Sequence, residues 1–375
     1  MNRRDFLRTA AVAGATSYGA ARWFDSVVLH ESVQPASTYS VIPVVGDGKW
    51  IWKKPPENQT GYLEPRQFEV SIGVELQGKG NASGVQATTA APLELPEQRV
   101  DDVRIETQGC RAQVRKLTSE AGQLHLAAPS LFKGQSVGAI AHYKMTLHKE
   151  HQGYAKDQFP VEQAFAKEFR KRYMYDSPGI QTRQKAVKDL AAEVAGQIEH
   201  PWDRAKAFHA WVWKNIRAKR GVYTSVIEAL KNRVGDCEER AAVFVALCRV
   251  SGIPARLVWV PNHNWAEFYL NDTEAEGHWI PSHTSAYSWF GWTGAHELVL
   301  QKGDSIVVPE KRKPLRLMAD WMQWQGSRPQ VRYYASIKPV APQASADPGP
   351  GARNKDEKGE WIRVGNHPLD KQMRE

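Results

Sequence analysis

The run from Cys237 to Gly252, "CEERAAVFVALCRVSG", constrains the fold of this chain more than any other stretch. From Ala241 onward it is apolar on nearly every face of a helix, and Gly252 closes it. A helix without a polar side cannot lie on a surface, so other elements must enclose it. Asp236 precedes it as a natural N-cap and Glu239 follows three residues later as the return half of a capping box. Cys237 therefore falls at the first helical position.

The enclosing elements are legible on both sides. From Gln163, "EQAFAKEFRKRY", "TRQKAVKDLAAEVAGQIEH" and "PWDRAKAFHAWVWKNIRAK" place apolar residues three and four apart, which predicts helices, with Pro201 at a helix start. "SVIEALKNR" precedes the Cys237 helix. After it, "ARLVWV", "NWAEFYL" and "HWIP" read as strands rich in β-branched and aromatic residues. Upstream, short alternating runs begin at Gln67 ("QFEVSIGVEL", "VRIETQG", "AQVRKL", "LHLAA", "SVGAIAHYKMTLHK") at spacings of roughly ten residues, the pattern of an antiparallel β-sandwich. The expected class is α+β, and 375 residues suffice for two domains. The predicted order is an irregular segment over 22–65 ending in the linker "KKPPENQTGYLEP", a sandwich over 66–155, an α+β unit over 160–340, and a disordered tail over 341–375 rich in Pro, Gly and charge.

Bulk properties narrow the partners. The chain is 42% hydrophobic and 24% charged, and no run approaches the roughly 20 apolar residues of a membrane helix, so no integral span is expected. The net charge is +9, yet the lysines and arginines are scattered rather than gathered into a stripe, which argues against nucleic acid. Residues 1–21, "MNRRDFLRTAAVAGATSYGAA", pair Arg3 with Arg4 ahead of a short, mildly apolar, Ala-rich run. This resembles a twin-arginine export signal. It implies recognition by the twin-arginine export machinery and a periplasmic or secreted site of action in a bacterium.

Three cysteines, Cys110, Cys237 and Cys248, leave at least one unpaired in such a compartment. Cys237 and Cys248 share one helix at roughly 16 Å, too far for a bridge. Cys248 reads as core. Cys237, at a helix N-terminus, has unpaired amides and the positive end of the dipole to favour a thiolate, but Asp236, Glu238 and Glu239 oppose it. It needs a histidine. The run from Asn262 to Leu270 alternates like a strand and places His263, Trp265, Glu267 and Tyr269 on one face. With the following turn centred near Glu274, His263 lies beside residues 282–285, so a group that orients it should come from "SHTS".

The ordered set "AWVWKNI", "GDCEERAAVFVALCRVSGIPARLV", "HNWAEFYL" and "HWIPSHTS" resembles the transglutaminase-like superfamily of cysteine enzymes over about residues 160–310. The upstream sandwich resembles one that often precedes this core in bacterial members. The resemblance implies a papain-like core of helices packed on an antiparallel sheet. It also implies a Cys-His-Asp triad that attacks an amide carbonyl of a peptide or protein, with no cofactor and no resident metal. Cys237 would be the nucleophile and His263 the general base. The family's Asp position falls on His283, which can orient His263 through a ring nitrogen but lacks the charge that stabilises an imidazolium. Asp272 lies toward the far end of the strand. Two other readings stay open at this point: a catalytically inactive peptide- or protein-binding module, for which the missing Asp speaks, and a zinc set of Cys237, His263 and His283. Trp289, Trp292 and His296 could line a groove or simply pack, and Glu267 reads as a structural hydrogen-bond acceptor.

Overall fold

A computed structural model describes residues 51–219, 223–318 and 320–340. The twin-arginine stretch, most of the 22–65 segment and the tail from 341 lie outside the described residues. Six strands come first: Gly61–Gln77 (β1), Ala82–Ala91 (β2), Gln98–Gln108 (β3), Arg111–Thr118 (β4), Ala121–Leu131 (β5) and Ser136–His151 (β6). Helices Lys167–Tyr173 (α1), Lys185–Ala195 (α2), Pro201–Asn215 (α3), Val226–Asn232 (α4) and Cys237–Val250 (α5) follow, with Arg217–Ala218 (β7) and Val234–Gly235 (β8) between them. The chain then returns to strands: Ala255–Val260 (β9), His263–Asn271 (β10), Gly277–Thr284 (β11), Ser288–Phe290 (β12), Trp292–Thr293 (β13), Gln301–Lys302 (β14), Trp321–Gly326 (β15) and Gln330–Pro339 (β16). The protein is thus mixed α/β with mostly antiparallel sheets.

The first strand starts inside the expected linker. Residues 61–65 belong to β1, and the register shift between Leu63 and Arg66 explains why sequence reading misses them. Pro65 has no N–H for the ladder, and Glu64 adopts φ 49°, so the strand tolerates both only as a bulge.

The strand pairing also crosses the boundary expected near residue 155–160. One sheet holds β13, β6, β1 and β16, with β3 on β6. The other runs β12-β11-β10-β9-β14-β5-β2-β15, with β4 on β5. The joint is β14, where Gln301 pairs with Ala121 of β5 on one side and Trp259 of β9 on the other. β15 and β16, expected in the downstream unit, pair with β2 and β1. Their alternation accounts for this: Tyr333, Ala335 and Ile337 of β16 pack on the cluster formed by Phe68, Val70, Leu124 and Met145. Adding them covers an open edge of each sheet, which otherwise presents unpaired backbone groups.

The downstream core is built around α5. Residues Ala241 to Cys248 are all essentially inaccessible, and they share one apolar cluster with α2, α3, α4, Ala255 and Leu257 of β9, Ala266, Phe268 and Leu270 of β10, and Ile280 of β11. Pro201 occupies the first turn of α3 as expected. Two buried ionic groups fix how the layers meet. Arg249 of α5 pairs with Asp304 at 2.8 Å. Arg256 of β9 and Lys302 of β14 hold Glu267 of β10 at 2.6 and 2.8 Å.

Candidate active site

Cys237 sits where the cap predicts. Asp236 Oδ1 accepts from the Glu238 amide at 2.8 Å and the Glu239 amide at 3.4 Å, while Glu239 Oε2 accepts from the Asp236 amide at 3.0 Å. The other Glu239 oxygen accepts from the Thr224 amide at 2.8 Å, tying the loop before α4 to the start of α5. Such a box contributes about 1 kcal/mol to the helix and fixes the sulfur's position.

The same acids work against a thiolate. Burial pushes the Cys237 thiol well up from its ordinary range, Asp236 adds to the effect, and Glu238 and Glu239 add less. The Asn264 main-chain amide lies near enough to the sulfur to pull the other way. Burial likewise raises Glu238 to about 7, against its ion pair with Arg316.

The Asn264 contact brings the start of β10 to Cys237. β9 and β10 are joined by a two-residue turn, Pro261 and Asn262, closed by the His263 and Val260 pair; Asn262 takes φ 57°, a conformation asparagine tolerates. His263 is therefore the first residue of the strand, one position from the amide that meets the sulfur. Farther along, Ala266, Phe268 and Leu270 face α5, whereas Trp265 packs with Val258 and Val299 on the opposite side. By the same alternation His263 shares the face of Trp265, and the residue at this end of β10 that meets the sulfur is Asn264.

β11 runs back beside β10 in the register the sequence predicts. Asn271 pairs with Gly277 and Ala266 with Ser282, which centres the turn on Glu274. His283 consequently lies beside Trp265, with the two rings stacked at 4.6 Å, while Trp289 closes its other side at 5.0 Å. Its ring centroid is 6.4 Å from that of His263. Nε2 lies 3.2 Å from Thr293 Oγ1, and Nδ1 has no hydrogen-bond partner. Burial, reinforced by His263 and His209, holds the His283 pKa well below the usual histidine range, so the ring is neutral.

A carboxyl group stands next to this pair after all. Glu297, between β13 and β14, places Oε2 3.9 Å from His283 Nε2. One ring nitrogen each of His263 and His283 and one carboxylate oxygen of Glu297 lie within 4.8 Å of one another. Burial raises Glu297 to about 8; the Trp265 indole N–H lies near enough to favour the ionised form, but neither oxygen has a partner in full hydrogen-bond geometry. The stretch "SWFGWTGAHE" contains Glu297, but no spacing rule links it to His263, 34 residues earlier. Such a pairing emerges only from the path of the chain.

The three groups could hold a divalent ion only by drawing together, since ligand atoms around a tetrahedral site of ~2.1 Å bonds sit roughly 3.4 Å apart. Cys237 is not part of that group. Trp289 stacks on Tyr287 at 4.1 Å and His296 Nε2 bonds the Glu64 carbonyl at 2.6 Å, so both pack rather than line a groove. Asp272 pairs with His278 at 2.8 Å at the far turn. Cys110 and Cys248 are free thiols, and Cys248 is core. A cavity of about 260 Å³ lined by Gly179, Val308, Leu315 and Trp321 lies nearby; Arg316 in its wall reaches Glu238, the neighbour of Cys237.

Residues 188–284 match the Transglutaminase-like superfamily, a segment that spans α2 to β11 and includes Cys237, His263 and His283. An uncharacterized protein of Haemophilus influenzae is 32% identical over 93 residues, which cover 23% of this chain and 25% of that protein; the chain thus spans about a quarter of the length of this relative. Among solved structures, a candidate cysteine protease from Cytophaga hutchinsonii superposes with a TM-score of 0.52 at 15% identity, covering 78% of this chain and 96% of the other; the likeness is one of fold. The periplasmic domain of TgpA from Pseudomonas aeruginosa gives a TM-score of 0.29 at 14% identity, over 68% and 82% of the two chains.

Proposed function

We propose that the protein is an exported cysteine hydrolase of transglutaminase-like type, acting on an amide bond of a peptide or protein. The observation that carries this reading is the meeting of Cys237, at the capped start of α5, with the Asn264 amide one residue after His263. The helical layer around α5 on β9, β10 and β11 would be the papain-like core, and β1 to β6 with β15 and β16 a sandwich attached to it.

In this reading the Cys237 proton passes to His263, and the thiolate attacks the carbonyl carbon while the oxygen takes the electron pair. Collapse breaks the C–N bond, the amine leaves with the proton from His263, and a thioester remains. Water, deprotonated by His263, then releases the acid. Hydrolysis is favoured over transfer to an amine because no amine-acceptor site is legible. His283 orients His263 from β11. The neutral resting site implied by the raised thiol and the lowered His283 pKa makes thiolate formation dependent on substrate binding.

One observation favours a second reading, a catalytically inactive peptide- or protein-binding module: three carboxyl groups crowd the thiol. Trapping with electrophilic peptides separates the two. Wild type should acquire one covalent label at Cys237 and Cys237→Ala none; equal labelling of both would remove Cys237 from the chemistry. The export reading rests on Arg3 and Arg4. Replacing both with Lys should hold the protein in the cytoplasm, and unchanged export would remove the twin-arginine route.

A further inference from the structure

The sequence places a histidine where the family resemblance calls for an acid, and the structure brings a different acid to the same spot. We propose that Glu297 is the positioning residue for His263, supplying from outside the expected strand pair the negative charge that His283 lacks. The proposal rests on the reading of Cys237 and His263 as nucleophile and base.

Three observations carry it. The first is proximity: the Glu297 carboxylate, His283 and His263 present atoms within 4.8 Å of one another, a range in which a carboxylate stabilises an imidazolium. The second is cost. Glu297 is 6% exposed and neither oxygen has an aligned hydrogen bond, whereas buried carboxylates that serve the fold are paired, as Glu267 is. A carboxyl buried without such partners destabilises the fold, and a role at the site accounts for it.

The third is rigid placement. Gln98 clamps the next-but-one residue, with its Nε2 donating to the Val299 carbonyl at 2.9 Å and its Oε1 accepting from the Val299 amide at 2.7 Å. The Leu300 amide bonds the Trp259 carbonyl at 2.8 Å, and His296 bonds the Glu64 carbonyl. The backbone on both sides of Glu297 is thus pinned to strands of both sheets.

The groups facing Glu297 are His263 of β10, His283 of β11, Tyr287 ahead of β12, and, across a cavity of about 10 Å³, Glu97 and, from β6, His148 and Glu150. Of these, His263 and His283 are the groups able to take up a positive charge whose ring nitrogens lie within 4.8 Å of the Glu297 carboxylate. An imidazolium at His263 and a carboxylate at Glu297 stabilise each other, so the proton that leaves Cys237 has a lower-energy place to reside.

The test is the rate of Cys237 alkylation by iodoacetamide between pH 5 and 9, which needs no substrate. Wild type is compared with His263→Ala, Glu297→Gln and Glu297→Asp, each with and without EDTA. Above about pH 8, where Glu297 has released its proton, loss of its charge should slow the reaction about tenfold, and below about pH 6 the two profiles should converge. Glu297→Asp should recover part of that rate, which a packing role would not produce. A Glu297→Gln profile that overlays wild type, while His263→Ala abolishes the enhanced rate, overturns the proposal and leaves the Cys237 and His263 pair standing. A His263→Ala profile equal to wild type removes the pair itself. If EDTA abolishes the difference between wild type and Glu297→Gln, the residue acts through a bound metal and the proposal also fails.

Discussion

Glu267 and Glu297 are two buried glutamates of the same region, and they are treated in opposite ways. Arg256 and Lys302 hold Glu267 at 2.6 and 2.8 Å, and although burial alone would raise its pKa, these cations bring it below the usual carboxylate range. Glu297 has no Lys or Arg partner among the described residues, and burial raises it to about 8. Glu267 joins β9, β10 and β14, the place where the two halves of the large sheet meet. Glu297 faces His263 and His283. The difference teaches that burial of a charge does not by itself mark a functional group; what distinguishes one is a buried carboxyl that lacks the partners needed to stabilise the fold.

The largest expected effect falls on the paired residue. Glu267→Gln removes the carboxylate that Arg256 and Lys302 share, leaving them only Glu120 and Glu97, and should lower stability by about 3 kcal/mol in urea unfolding. Glu297→Gln at pH 6, where the native carboxyl is protonated, should change it by less than about 1 kcal/mol. Equal losses would erase the contrast.

The pH dependence sharpens it further. Between pH 4.5 and about 8 the folded state keeps a proton on Glu297 that the unfolded chain has released, so this residue's contribution to stability falls as pH rises through that window. At about 1.4 kcal/mol per pH unit the effect amounts to a few kcal/mol, and the wild-type curve should drop relative to Glu297→Gln by that amount. The Glu267 contribution has the opposite sign: it is present above the ordinary carboxylate pKa and is lost as pH falls through the depressed one. Parallel curves for wild type and Glu297→Gln would show that Glu297 is ionised at neutral pH.

A smaller effect belongs to the cysteine end of the site. Asparagine caps a helix about as well as aspartate, so Asp236→Asn should change stability by no more than about 0.5 kcal/mol. Burial and Glu239 raise Asp236 itself to about 8, so removing its carboxylate, which raises the Cys237 thiol, should speed alkylation by roughly threefold to tenfold at pH 9 and little at pH 6. An unchanged rate would mean that desolvation alone sets the thiol.

Local pattern was the most readable part of the chain. The Asp236 and Glu239 box, Pro201 in the first turn of α3, the alternation of β10 and the turn centred on Glu274 all depend on residues within a few positions of one another. So does the position of His283 beside Trp265, because one register fixes every pair in a hairpin. Less legible were features whose partners lie far apart. The start of β1 was hidden by Pro65 at a bulge. The return of β15 and β16 to strands more than 200 residues upstream has no short-range signature.

The sequence by itself therefore determined the helix that must be buried, the cap that sets Cys237 at its start, and the alternating strand that carries His263. Capping, periodicity and hairpin register are local consequences of side-chain geometry. The tertiary structure alone decided that one sheet runs through β14 across the expected boundary, that Glu267 is neutralised by Arg256 and Lys302, and that Glu297 lies beside His263 and His283. Those outcomes depend on where distant segments cross, and a crossing is set by the packing of whole layers rather than by any spacing along the chain.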